Sequence, residues 1–208
     1  MSSVPKLPKG ERLILASGNE GKLKELRQLL AGSGIELGSL RDYPNVRMPP
    51  EDGETFADNA RIKARGLGER IGEWVLSDDS GLVVEALAGA PGVHSARFAG
   101  PDADDQANNL KLLEVMAGIP DERRAAAFVC VLVLRAPDGS EQLFSGRCPG
   151  RIAQALSGSG GFGYDPLFLV PPDFRRSMAE LDSEEKNRIS HRGAALKKLC
   201  AGLQLRKL

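Results

Sequence analysis

Two short apolar runs with an amphipathic helix between them set the class of fold open to this chain. Leu13, Ile14, Leu15 and Ala16 form an uncharged stretch of the kind a buried strand needs. From Lys22 onward Leu23, Leu26, Leu29 and Leu30 recur at helical spacing, with Lys24, Glu25, Arg27 and Gln28 between them, so one stripe is buried and the other face is wet. Glycines in residues 31–34 end the helix, and residues 35–37 read as a second strand. The result is a βαβ unit in a chain of 208 residues, long enough for one ordinary core with a full sheet.

The turn joining strand to helix is SGNEGK: Ser17, Gly18, Asn19, Glu20, Gly21 and Lys22. Gly18 and Gly21 let the backbone come close to a ligand, the first helical N–H groups have no intrahelical partner, and the macrodipole favours an anion there. Lys22 adds a full positive charge. Two readings fit the hexapeptide: a phosphate cradle, or a plain βα turn with Ser17 or Asn19 as N-cap. A P-loop is excluded, because its pattern sets four residues between the glycines and a hydroxyl after the lysine. Here two residues separate the glycines, and Leu23 follows Lys22.

Lys and Arg number 28 and Asp and Glu number 28, so net charge draws the chain neither to nucleic acid nor to an anionic membrane. Polymeric DNA or RNA is not an expected partner. The 24 glycines point to many turns and close backbone approaches. Cys130, Cys148 and Cys200 are odd in number and far apart, without a CxxC pair or a His at zinc spacing, which fits a reduced, cytoplasmic protein. Residues 1–10 contain Pro5 and Pro8 and no apolar core, so they read as a flexible tail before a single domain over 11–208. The longest apolar run, residues 125–134, is about half of what spans a bilayer, and no membrane segment is expected.

Residues 41–53 read as a loop leading into the acidic cluster Glu51, Asp52 and Glu54. A helix follows from Thr55, with Phe56, Ala60, Ala64 and Leu67 on one face, and Thr55 with Asp58 resembles a capping box. Asn59 and Lys63 lie one turn apart and can reach the same ligand, although Lys63 also reads as a solvated lysine. Residues 74–76 form a strand that gives way to a glycine turn at Ser77, Asp78, Asp79, Ser80 and Gly81, with residues 82–87 as a hairpin arm. Two adjacent carboxylates there call for a cation such as Mg²⁺, or else form a polar turn capping the strand. His94 lies alone in a loop over residues 90–100, where a packing or surface role is the ordinary one. Residues 104–116 read as a helix, residues 125–134 as a central strand, and residues 142–148 as its antiparallel partner across a turn at Asp138 and Gly139. The GSGGFGYD stretch, residues 158–165, is either a plain glycine-rich loop or a wall whose Phe162 and Tyr164 stack a base. A last helix, residues 182–203, is capped by Asp182 with Glu185 and carries Lys186, His191 and Arg192, with a break expected at residues 190–193.

Together SGNEGK, DDSG (residues 78–81), GGFGYDP (residues 160–166) and SHRG (residues 190–193) resemble the inosine and xanthosine triphosphate pyrophosphatase family, hydrolases of non-standard purine nucleotides. The resemblance covers about residues 12–203, with the motifs in the family's order. It departs at His94, where the family's PGxYSARF loop usually carries a Tyr. The resemblance implies an α/β fold with a mixed, elongated central sheet flanked by helices, in two lobes with a nucleotide cleft between them. It also implies Mg²⁺-dependent hydrolysis of ITP, dITP and XTP to the monophosphate and pyrophosphate, usually by a homodimer.

Carried over position by position, Ser17 to Lys22 match the triphosphate-binding turn and Lys63 a phosphate-side lysine. Asp79 matches the general base and metal ligand, Ser80 a substrate contact, and Glu51 the second acidic metal residue, with Glu54 close enough to compete. Phe162, Gly163, Tyr164, Asp165, Lys186, His191 and Arg192 match nucleoside contacts. Two other functions remain open to a chain of this kind: a nucleotide-binding regulatory module without turnover, and a phosphohydrolase of modified pyrimidine triphosphates.

Overall fold

The structure is a computed structural model that describes Leu7 and residues 11–203. Apart from Leu7, the tail expected over residues 1–10 lies outside the described residues. Six strands form one sheet in the order β2-β1-β3-β4-β5-β6: β1 Arg12–Leu15, β2 Glu36–Ser39, β3 Trp74–Val84, β4 Ala125–Arg135, β5 Glu141–Ile152 and β6 Phe168–Leu169. The helices are α1 Glu20–Leu30, α2 Phe56–Ile71, α3 Asp105–Val115, α4 Ser183–Ile189 and α5 His191–Gly202. β1 runs parallel to both β2 and β3, whereas β5 and β6 are antiparallel, so the fold is α/β with a mixed sheet. The expected βαβ unit is β1-α1-β2, and the expected central strand β4 lies between β3 and β5. Among the described residues no helix is long and apolar enough to cross a membrane.

The chain divides into two compact units, and β3, β4 and β5 contribute residues to each. The first takes the chain to Asp79, then Cys130–Gly146, then the chain from Arg192. Its strands are covered on both faces, which is why they read as continuous apolar runs. Leu13, Leu15, Trp74, Leu76, Cys130 and Leu132 meet Leu23 and Leu26 of α1 and Leu196 and Leu199 of α5. The alternate residues Ile14, Val75, Val131 and Val133 meet Ala60, Ala64 and Leu67 of α2.

The second unit comprises Ser80–Val129 and Arg147–His191. Leu82, Val84, Phe128 and Ile152 pack there with Leu112 and Met116 of α3 and with Tyr164, Leu167 and Phe168. Arg124, 4% exposed, braces this unit by donating to four carbonyls: Ile152 at 2.7 Å, Ala153 at 2.8 Å, Met116 at 2.9 Å and Ile119 at 3.1 Å.

The glycine turn expected at residues 77–81 does not form, and neither does the hairpin arm after it. β3 runs through SDDSG without interruption. Gly81 is a glycine because of a neighbour and not because of a turn: a Cβ there would lie 2.7 Å from the Gly92 carbonyl oxygen and closer still to Ser95 Oγ. Extended backbone sends successive side chains to opposite faces, so Asp78 and Asp79 part company.

Asp78 is fully buried and ties three elements of the first unit together. Oδ1 lies 2.7 Å from Lys22 Nζ on α1, and Oδ2 accepts from Arg192 Nε on α5 at 2.8 Å and from the Cys130 thiol on β4 at 3.5 Å. Arg192 Nη1 also pairs with Glu25 of α1. Burial alone raises the Asp78 pKa, but Arg192 and Lys22 outweigh it and hold the carboxyl well below its ordinary value. Asp78→Asn therefore leaves a buried guanidinium without its main counter-charge and should cost about 3–5 kcal/mol in urea unfolding at pH 7. A depressed folded pKa contributes stability that is present above the unfolded value, about 3.9, and is lost as pH falls toward the folded one. The gap between wild type and Asp78→Asn should thus be constant from pH 7 to 5 and narrow below about pH 4; a gap that closes already at pH 6 refutes the assignment.

Candidate active site

Of the two readings left open for SGNEGK, the structure shows the capped turn. Asn19, not Ser17, is the N-cap of α1, with Oδ1 accepting from the Lys22 N–H at 3.0 Å, while Ser17 Oγ accepts from the Asn19 N–H at 3.2 Å. Gly18 keeps its backbone out of the left-handed range, and a Cβ placed on it would meet nothing within 4 Å. Neither packing nor backbone conformation within the protein demands a glycine at that position. Glu20 in the first turn pairs with Arg41 at 2.7 Å, which tempers a charge unsuited to an anion site.

On the opposite face of β3, Asp79 meets α2. Thr55 caps that helix, accepting from the Asp58 N–H at 3.1 Å, and Ser77 Oγ donates to the Ala60 carbonyl at 2.6 Å, pinning β3 to α2. Asn59 is buried and accepts from the Gly53 N–H at 2.8 Å, which secures the acidic loop. Gly53 is required there, since a Cβ would lie 2.7 Å from Asp58 Cβ and 2.8 Å from Asn59 Oδ1. One turn on, Lys63 Nζ stands 2.6 Å from Asp79 Oδ1 and 3.1 Å from Glu51 Oε2. Lys63 is only 5% exposed, so the solvated-lysine reading is overturned. Of the two glutamates left open, Glu51 is the one joined to this lysine.

Burial would lower the Lys63 pKa, but Asp79 and Glu51 reverse that and raise it, so the ammonium stays charged. Asp79 is raised because its burial exceeds what Lys63 restores. Glu51 also feels burial, but Lys63 wins and its pKa is lowered.

The two faces hold their charges differently. Asp78 and Glu25 meet Lys22 and Arg192, whereas Asp79 and Glu51 both meet Lys63 and also feel the Lys22 charge. Asp79 Oδ2 is buried without a hydrogen-bond partner. Among the described residues no three His, Cys, Asp or Glu side chains converge as a metal cage. Two carboxylates with a free oxygen do suit Mg²⁺, which is commonly held by one or two carboxylates plus water and substrate phosphates. Ser80 follows on the face opposite to Asp79 and is partly buried.

The remaining predicted residues, apart from Arg192, gather in the second unit. Asp165 Oδ2 accepts from the Phe162 N–H at 3.0 Å and from Lys186 Nζ at 2.6 Å, and that ammonium sits 5.0 Å from the centre of the Phe162 ring. Gly161, at φ +74°, gives Asp165 the space that a Cβ would take. Tyr164, expected with Phe162 to stack a base, is buried and donates to the Ser95 carbonyl at 2.8 Å, whereas Phe162 is partly buried. The expected break in the last helix is at Ser190, whose ψ of 152° separates α4 from α5, and the Asp182–Glu185 capping box is formed. The break brings His191 against Phe128, rings stacked at 4.9 Å and 17°. His94 lies exposed in a 3-10 turn over Gly92–Arg97.

Asn59, expected to share a ligand with Lys63, holds the Gly53 N–H. Glu25, Asp105 and Asn109 were not expected at the site; Glu25 had the weak signal of a polar residue one helical turn from Lys22. Asp105 and Asn109 had none.

Known proteins resemble this chain along most of its length. The model of the Ham1 family matches residues 13–202. The dITP/XTP pyrophosphatase of Desulforamulus reducens is 52% identical over 187 residues, covering 90% of this chain and 92% of that protein. A HAM1 protein from Coxiella burnetii superposes with a TM-score of 0.84 at 41% identity, over 93% of this chain and 98% of the other. The nucleoside-triphosphatase / dITP/XTP pyrophosphatase of Mycobacterium abscessus gives a TM-score of 0.73 at 48% identity, over 90% and 97%. With a family model spanning nearly all of the described residues and relatives this similar along their length, the chain belongs to the Ham1 family.

Proposed function

We propose that this chain hydrolyses ITP, dITP and XTP to the nucleoside monophosphate and pyrophosphate, clearing non-standard purines from the nucleotide pool. The observation that carries the reading is the Asp79–Lys63–Glu51 group, with its buried Asp79 oxygen that no side chain or backbone group satisfies, in a member of a family whose relatives are named dITP/XTP pyrophosphatases.

Attack of water on the α-phosphorus needs a neutralised polyanion, an oriented water and a base. Ser17, Gly18, Asn19, Glu20 and Gly21 offer backbone around the N-terminus of α1, and Lys22 and Lys63 offer charge. A lysine about 4 Å from a phosphate charge is worth roughly 4 kcal/mol at an intermediate dielectric, before desolvation. Glu51 and Asp79 are the proposed ligands of Mg²⁺, which when bound polarises the phosphoryl oxygens. Asp79, its pKa raised by burial, orients the water and takes its proton. Ser80 is a further proposed substrate contact.

On the nucleoside side Phe162 stacks on the base, which adds affinity without selecting it. Gly163, Tyr164 and Asp165 shape the wall around it, and His191, Lys186 and Arg192 are the proposed donors. A 6-oxo purine accepts from such donors, whereas the amino group of adenine opposes them. The working unit proposed is a homodimer in the cytoplasm. Three buried free cysteines support a reducing compartment.

The deciding experiment incubates the protein with Mg²⁺ and ITP, XTP, GTP or a modified UTP and measures pyrophosphate. ITP and XTP should exceed GTP by at least about 10² in kcat/KM. No release from any of them would leave a binding module, and preference for modified UTP would move the enzyme to the pyrimidine class. Asp79→Asn should lower kcat for ITP by about 10²–10⁴ with the melting curve preserved, and full activity would remove Asp79 from the chemistry. Lys22→Ala should raise KM for ITP more than Kd for inosine monophosphate; equal weakening would place Lys22 away from the β- and γ-phosphates.

A further inference from the structure

Helix α3 bears none of the residues assigned to the substrate, yet its polar face is buried. Asn108 and Asn109 are each 3% exposed. Such side chains are costly inside a protein unless they are hydrogen-bonded, and here each is bonded to a loop. Asn108 accepts from the Ala99 N–H at 2.8 Å and donates to the Ala96 carbonyl at 3.2 Å. Asn109 Nδ2 donates to the Gly163 carbonyl at 2.7 Å and to the Asp105 carbonyl of its own helix at 2.7 Å. Asp105 Oδ2 in turn accepts from the Gly163 N–H at 2.6 Å.

Both backbone groups of Gly163 are therefore held by α3 side chains one helical turn apart. The residue has φ +64°, and a Cβ on it would meet nothing within 4 Å, so its conformation and not crowding selects glycine. The neighbour on one side, Tyr164, is fixed through its hydroxyl on Ser95. The neighbour on the other side is Phe162. A loop rich in glycine has large conformational freedom to lose, and two hydrogen bonds at its centre, one of them to a carboxylate, reduce that freedom before any ligand arrives.

We infer that Asp105 and Asn109 are positioning residues for nucleoside recognition: by clamping both backbone groups of Gly163 they preset the Phe162–Asp165 wall. What that wall contacts rests on the pyrophosphatase reading above; the clamp itself does not. The phosphate-side residues lie in the other unit and share none of these bonds.

The test compares wild type, Asn109→Ala, Asp105→Ala and Asp105→Asn, the last of which keeps an oxygen for the Gly163 N–H. Amide hydrogen exchange of the ligand-free protein should be faster at residues 161–165 in both alanine variants by about tenfold, the loss of one bond of ordinary strength, with Asp105→Asn close to wild type. Kd for inosine monophosphate should rise about tenfold in both alanine variants, while inhibition by inorganic tripolyphosphate stays within twofold. KM for ITP should follow the monophosphate, with kcat little changed.

Unchanged exchange at residues 161–165 would overturn the clamp. Faster exchange with an unchanged monophosphate Kd would overturn its role in recognition. Equal weakening of monophosphate and tripolyphosphate would mean general loosening, and overturns the assignment too. Failure of the wild type to release pyrophosphate from ITP would count against the pyrophosphatase reading instead, and the exchange measurement would still decide the clamp.

Discussion

The pleat of β3 between Ser77 and Ser80 is the constraint on which the rest of this structure depends. In an extended chain neighbouring side chains point to opposite faces, so two adjacent aspartates become two separate electrostatic problems. Asp78 faces α1 and α5 and is neutralised there by Lys22 and Arg192, with Glu25 completing a balanced set. Asp79 faces α2, shares Lys63 with Glu51, and keeps one oxygen unpartnered. On one face both carboxylate oxygens are engaged, on the other one oxygen is left unsatisfied. Had the aspartates occupied a turn, side by side, neither arrangement would be possible.

The same division organises what the side chains can do. Closed ionic clusters over-determine geometry, because every donor has its acceptor and a shift in one forces a shift in the rest. Asp78 thereby fixes the α1 lysine and the α5 arginine relative to β3. The cluster beside Asp79 differs, since its raised carboxyl pKa and unfilled oxygen are properties that a ligand can satisfy. In the second unit the Phe162–Asp165 segment is held in a different way: both backbone groups of Gly163 bond to α3, the Tyr164 hydroxyl to Ser95 and the Asp165 carboxylate to Lys186 of α4.

Much of this was legible in the sequence because it is local. The β1-α1-β2 unit, the Thr55 and Asp182 caps, the central position of β4 and the break at Ser190 all follow from patterns a few residues long. SDDSG was misread as a turn for a physical reason. Charge and glycine at a strand end are the ordinary turn signals, whereas the partners that permit a strand there lie 56 residues away in Lys22 and 114 away in Arg192. Lys63 looked solvated because its counter-charges sit 12 and 16 residues off, across a loop and a strand. Tyr164 looked available for stacking until its hydroxyl met a carbonyl 69 residues upstream. Asp105 and Asn109 were illegible for the same reason, since nothing near α3 in sequence marks Gly163 as their partner.

Arg124 solves the problem of a buried cation in another way. Its guanidinium is held by four carbonyl oxygens rather than by a carboxylate. Carbonyl groups do not titrate, so this brace of the second unit has no acid midpoint of its own, in contrast to the carboxylate-held core of the first. Four carbonyls converging on one side chain also exceed what an ammonium with three donors can satisfy. The junction of α3, β4 and β5 is thus closed to lysine by donor count alone.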